Sequence, residues 1–195
     1  TTKKVFGVVE QVLKGKVNSE LTHQLNLAGI NAIGLSGYDA HLLKASIMDE
    51  GSLGYVGKIE EVNLTLLNNL LSLNYVPVIA PLATTNNGEK LNVNADLAAS
   101  AIAEALEVEK LVFVTDVPGI LKEGEIVSRV TKEEILHYIE TGIIHGGMIP
   151  KVQAALSVLQ LNIKEVMIVG CQDTIIQDGA MLGTRITEGG GVKAV

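Results

Sequence analysis

Residues 92–121 constrain the fold of this chain more than any other stretch. After Asn92-Val93-Asn94-Ala95-Asp96, the apolar residues Ala99, Ile102, Ala103 and Leu106 recur at three- and four-residue steps, the period of a helix with one buried face. Leu111-Val112-Phe113-Val114 is then an unbroken apolar run, which predicts a strand covered on both faces. The strand ends in Thr115-Asp116-Val117-Pro118-Gly119-Ile120-Leu121. Helices begin and parallel strands finish on the same edge of an open α/β sheet, so loops 92–96 and 116–119 are expected to open on a ligand-binding edge.

The rest of the chain reads as more of the same. Val5, Val8, Val9, Val12, Leu13, Val17, Leu21, Leu25 and Ala28 keep a helical period with a break at Gly15 and a stop at Gly29, giving two helices or one kinked helix. A strand over 31–35 runs into Ser36-Gly37-Tyr38-Asp39, a turn with Asp39 as a capping acid and a second candidate for the active edge. Residues 41–60 suit a hairpin better than a helix. A short helix over 63–74 leads to Val76-Pro77-Val78-Ile79-Ala80, a buried strand opened by proline, and Asn86-Asn87-Gly88 is a turn that delivers the chain to Asn92. Farther on come a short strand at Ile126-Val127, a capping box at Thr131 and Glu134, and a helix with inner face Val152, Ala155, Leu156 and Leu159, with Pro150 in its first turn. Strands over 166–170 and 183–186 close the list. This order predicts a three-layer α/β/α sandwich around a mainly parallel sheet.

Composition removes several function classes. A formal charge of -7 argues against an extended nucleic-acid or anionic-membrane surface. A single cysteine, Cys171, excludes an internal disulfide or a cysteine metal cluster and fits a reducing compartment, the cytoplasm by default. His23, His41, His137 and His145 show no metal-ligand spacing, so no protein metal site is expected. Lys151 is the most informative residue. A cation in the first turn of a helix opposes the macrodipole by roughly 0.3–1 kcal/mol unless an anion binds there. The preceding Gly146-Gly147 leaves backbone N–H groups open to such an anion. Position alone fits an exposed surface lysine equally well. Asp96 likewise fits an ordinary N-cap or first-turn acid, and 116–119 an ordinary tight turn.

Asn92-Val93-Asn94-Ala95-Asp96, then Thr115-Asp116-Val117-Pro118-Gly119-Ile120-Leu121, then Gly146-Gly147-Met148-Ile149-Pro150-Lys151 resembles, in order and spacing, the amino acid kinase family and within it the branch acting on N-acetyl-L-glutamate. The resemblance runs over all 195 residues. It implies ATP-dependent phosphorylation of the side-chain carboxylate of N-acetyl-L-glutamate in arginine biosynthesis, with Mg2+ on the nucleotide. Another acylated amino acid, such as an aminoadipate derivative, is the alternative substrate, and a non-catalytic nucleotide-binding form the alternative protein. The resemblance implies Lys151 and Asp96 as catalytic residues and Asn92 as substrate-binding. It implies Asp116, Val117, Pro118, Gly119, Ile120, Leu121, Ile143, Ile144, His145, Gly147 and Met148 as the nucleotide surface. It also implies a homodimer or a dimer-built oligomer, without nucleic-acid or membrane partners. The family opens with a strand ending in Lys-x-Gly-Gly and carries a His-Gly-Gly-Gly loop, and neither string occurs here. Residues 1–195 are therefore expected to form one kinase domain, roughly the C-terminal two-thirds, without that first strand and those loops.

Overall fold

The computed structural model describes residues 1–159, 163–171, 175–177 and 180–187. The chain divides into two compact units, Thr1–Ala105 and Leu106–Val195.

The first unit opens with α1 (Lys3–Glu10), a π-helical stretch (Gln11–Asn18) and α2 (Ser19–Leu27). The break expected at Gly15 is absorbed as widened π turns in one continuous helical run, which stops at Gly29 with φ +82°. Thr2 accepts a hydrogen bond from Val5 N through its hydroxyl and caps the start. The strands are β1 (Ala32–Ser36), β2 (Leu43–Ile47), β3 (Gly57–Val62), β4 (Val76–Ala80), β5 (Leu82–Thr84) and β6 (Lys90–Asn92), with helices α3 (Leu64–Ser72) and α4 (Ala95–Ala105). β1 and β4 pair in parallel, β2 and β3 form the expected antiparallel hairpin, and β5 joins β2 in parallel and β6 antiparallel. The inner face of the first helix places Phe6, Val9 and Leu13 against Ala80 and Leu82. Asn18 is buried because its amide donates to the carbonyls of Leu35 and Val78, at 3.3 and 2.8 Å.

Two expectations here need correction. The strand over 76–80 is only partly covered, with Val76 44% exposed. It pairs on one side only within its sheet, the setting in which Pro77 is tolerated. In α4 the buried residues are Ala98, Ser100 and Ala103, while Ala99 and Ile102 are half-buried and Leu106 lies past its end.

The second unit holds β7 (Lys110–Thr115), β8 (Leu121–Lys122), β9 (Glu125–Ile126), β10 (Arg129–Thr131), β11 (Glu165–Gly170), β12 (Ile176–Gln177), β13 (Ala180–Met181) and β14 (Thr184–Thr187), with helices α5 (Lys132–Glu140) and α6 (Met148–Leu159). Its main sheet runs β10-β14-β11-β7. β7 parallels β11 over six residues, β14 runs antiparallel to β11, and β10 parallels β14. The capping box is complete: Thr131 accepts from Glu134 N, and Glu134 accepts from Thr131 N at 2.7 Å. All four inner-face residues expected of α6 are buried. The double coverage expected of β7 is not found, since Phe113 is buried but Val114 is 58% exposed. β7 is an edge strand of this sheet, and alternate side chains point to opposite faces, only one of which is closed at Val114.

Candidate active site

A cavity of about 520 Å³ opens in the second unit where β7 ends and α6 begins. It is walled by Asp116, Val117, Gly119, Ile120 and Leu121 on one side and by Ile143, Ile144, His145, Gly147 and Met148 on the other, with Lys151 also at the wall. Two loops separated in sequence thus converge on one space. Pro118 is not among the lining residues: its Cα would lie 2.8 Å from a Cβ built on Gly170, so it fills the turn against the end of β11.

The first loop is fixed by β14. Thr184, fully buried, accepts a hydrogen bond through Oγ1 from Ile120 N at 2.8 Å. Gly119 has φ +149°, and a Cβ there would come within 2.7 Å of that hydroxyl, so only glycine lets the backbone turn this close to β14. Asp116 is exposed, and its Oδ1 accepts from Thr115 Oγ1 at 2.9 Å. That hydrogen bond first, its own backbone N–H next and the charge of Lys151 hold the Asp116 carboxyl below its ordinary range. The carboxylate is therefore ionised on the cavity wall.

The second loop begins where Ile144 N bonds the Tyr138 carbonyl at 2.9 Å, and it turns through Gly142 and Gly146 at φ +75° and +56°. A Cβ on Gly146 or Gly147 would meet nothing within 4 Å, so the loop backbone faces open space. Met148 N and Ile149 N are already bonded to the carbonyls of His145 and Gly146. Lys151 stands in the first turn of α6 and makes no ion pair among the described residues. Glycine backbone, a helix start and an unpaired ammonium at one cavity make a site for an anion.

Asn92 and Asp96 belong to the first unit. Asn92 closes β6, half-buried, with its N–H on the Tyr55 carbonyl at 2.9 Å. Asn94, to which the sequence assigned no role, caps α4: its Oδ1 accepts from Asp96 N and Leu97 N at 2.9 and 3.1 Å. Asp96 is therefore a first-turn acid and not the cap, and its carboxylate has no hydrogen-bond partner among the described residues. Asn94 and Thr184 are the residues that sequence reasoning missed. The first was readable from the capping preference of asparagine two residues before a helical acid, whereas Thr184 reaches Ile120 across 64 residues, a separation no local pattern records.

These features have counterparts in known proteins. A model of the amino acid kinase family matches residues 1–170, and the chain belongs to that family. Acetylglutamate kinase of Geobacillus stearothermophilus is 50% identical over 192 residues, covering 98% of this chain and 74% of that protein. A solved structure from Streptococcus mutans UA159 superposes with a TM-score of 0.84 at 30% identity, covering 97% of this chain and 74% of that one. Carbamate kinase from Giardia lamblia, solved with AMP-PNP bound, shares the fold at a TM-score of 0.68 and 18% identity, over 97% of this chain and 74% of that one. The α/β sandwich expected from the order of elements is thus the fold of this family.

Proposed function

We propose that this protein transfers the γ-phosphoryl group of ATP to the side-chain carboxylate of N-acetyl-L-glutamate, giving N-acetyl-L-glutamyl 5-phosphate and ADP, a step toward arginine. The observation that carries the reading is the convergence of both predicted nucleotide loops and Lys151 on one cavity of about 520 Å³, within the size range of small-molecule sites. The choice of acceptor rests on the 50% identity to an acetylglutamate kinase.

In this reaction a carboxylate oxygen of the substrate bonds to the γ-phosphorus as the bond to the ADP oxygen breaks. No protein nucleophile is needed; positioning and positive charge on the phosphoryl oxygens suffice. Lys151 and the backbone of 146–147 supply that charge and those donors. Ile120, Ile144 and Met148 supply an apolar wall for the base, and Asn92 holds the amino-acid substrate. Asp96, with its carboxylate unspent on capping, is the second catalytic residue of this reading. Mg2+ usually rides on nucleotide phosphates with one or two protein carboxylates. Asp116, ionised at the cavity, fits that need, and the described residues hold no cluster of three metal-binding side chains. When bound, Mg2+ would neutralise phosphate charge.

Residues 1–170 match one family model across both compact units, which supports a single kinase domain. A homodimer is favoured by the outer side of the first helix. Val5, Val8, Val12, Val17 and Leu21 are each 44–57% exposed, and the five-residue step from Val12 to Val17 crosses the π turn, where i→i+5 bonding keeps the stripe on one face. No described helix is long and apolar enough to cross a membrane, and a cytoplasmic enzyme fits that finding.

The test is ADP release measured with N-acetyl-L-glutamate, L-glutamate and N-acetyl-L-aminoadipate as acceptors. Release should depend on N-acetyl-L-glutamate, with trapping of the acyl phosphate as a hydroxamate. Preference for either of the others would overturn the choice of substrate.

A further inference from the structure

The register of the second-unit sheet sets Arg129 of β10 beside Arg185 of β14, and Arg185 beside Met167 of β11; residues paired in this way share a face. The opposite face of the same strands is closed, with Val130, Ile186 and Val166 fully buried. Like charges directly opposite one another destabilise a sheet. Glu165 offsets only part of this. Its Oε2 lies 3.0 Å from Arg185 Nε, and its Oε1 lies 2.8 Å from Lys110 Nζ without hydrogen-bond alignment. One carboxylate therefore serves two cations, and among the described residues none pairs with Arg129. In a chain of net charge -7, this is a local excess of positive charge.

The arginines do not face open solvent alone. Arg129, Arg185 and Ser128 line a cavity of about 410 Å³ whose other walls include Ile126, Met181 and Leu182. Those three are 41, 38 and 40% exposed. Paired guanidinium forks match the oxygens of a carboxylate or phosphate, while the aliphatic wall suits a short hydrocarbon chain. We propose that this cavity is a second binding site, distinct from the cavity at Lys151, for a small organic anion whose carboxylate or phosphate head sits between Arg129 and Arg185 and whose aliphatic part lies on Ile126, Met181 and Leu182. The two cavities share structure: Leu121 of the first pairs with Ile126 of the second across β8 and β9, and Thr184, which holds Ile120, precedes Arg185.

Proton–nitrogen NMR on the whole chain, with saturating ADP so that phosphate at the Lys151 loop does not confuse the reading, tests this. The probes are hexanoate, butyl phosphate and inorganic phosphate. Saturable shifts of the Ser128, Arg129 and Arg185 amides are expected with hexanoate or butyl phosphate, and the tighter of the two identifies the head group. Inorganic phosphate should bind more weakly because it leaves the apolar wall uncovered. Arg129→Gln, at an exposed position, should weaken binding about tenfold or more, as loss of a charge-assisted hydrogen bond would. Met181→Ser should weaken hexanoate and leave inorganic phosphate unchanged. Absence of saturable shifts at these amides with all three probes, or equal binding in Arg129→Gln, overturns the proposal. Failure of ADP to shift Asp116 and Ile144 would instead count against the nucleotide reading.

Discussion

The side-chain cluster around Tyr38 in the first unit and the cavity wall at Lys151 in the second use their charged groups differently. In the first, charges close on one another. Lys14 Nζ bonds both oxygens of Asp39 at 2.9 and 3.1 Å, and Lys90 Nζ bonds Glu10 at 2.6 Å. The two ammoniums each stand 4.5 Å from the centre of the Tyr38 ring, whose hydroxyl donates to Glu10 at 2.6 Å. In the cavity of the second unit, Lys151 and Asp116 have no ion-pair partner among the described residues. Charge consumed by the fold stabilises it, while charge the fold leaves unspent is available to a ligand. The same distinction separates neighbours in the first unit, where Asn94 is spent on the cap of α4 and Asp96 is not.

The sharpest way to break this comparison is at Lys151. Lys151→Ala should lower kcat by roughly 10²–10³, the scale of losing one preorganised donor to developing charge, with ADP affinity changed far less. Lys151→Arg should not rescue fully, because a planar fork is not a point charge. Unchanged turnover would make Lys151 a surface residue. Gly119→Val comes next. Its φ of +149° and the 2.7 Å approach to Thr184 Oγ1 force the loop away from β14. The expected outcome is a loss of about 1–3 kcal/mol of stability and a raised KM for ATP, with the KM for the amino-acid acceptor little changed.

How much of this was legible depended on which residues carried the signal. Loops 116–121 and 143–148 were readable as loops because glycine marks them, whereas a shared role, at what proves to be one cavity, was implied only by the family resemblance. The inner face of α6 was readable because Val152, Ala155, Leu156 and Leu159 keep three- and four-residue steps, although Val158, equally buried, was not read. The face of α4 was read correctly only at Ala103, while Ala98 and Ser100 took the buried places expected of Ala99, Ile102 and Leu106. It is built largely from alanines, which carry little periodic contrast, and Ser100 is buried because its hydroxyl bonds the Asp96 carbonyl at 2.7 Å. β5, β6, β8 and β10 are two or three residues long, too short for alternation to register. Exposure at Val114 was hidden because an apolar run does not reveal which strands will flank it.

A smaller effect is expected in the first unit. Asn92→Ala removes a side-chain amide at the end of β6 while leaving the backbone bond to Tyr55 in place. The KM for N-acetyl-L-glutamate should rise about tenfold, one hydrogen bond to a charged substrate, with the KM for ATP nearly constant. Equal effects on both would merge the substrate and nucleotide roles that are assigned here to different residues.

The least effect should come from the closed network, and it is read through pH. The hydrogen bond from Lys90 first, and that from Tyr38 second, hold the Glu10 carboxyl below its ordinary value against the opposing effect of burial. A carboxyl whose folded pKa is depressed contributes stability that is complete above its unfolded pKa and is lost as pH falls through the folded one. With glutamate ordinarily near 4.3, the loss should begin at about pH 5 and continue below about pH 4. Because the side chains of Lys90 and Glu10 are 47 and 27% exposed, the contribution should stay under about 1 kcal/mol. Asp39 also has a lowered pKa, because the bonds from Ser36 and Lys14 outweigh its burial, so wild-type stability falls with acid for more than one reason. The informative quantity is therefore the difference between wild type and Glu10→Gln in urea midpoint. It should be largest near pH 7 and shrink toward zero in acid; a difference that is constant across that range would mean that the Glu10 carboxylate is not held by its charge on Lys90.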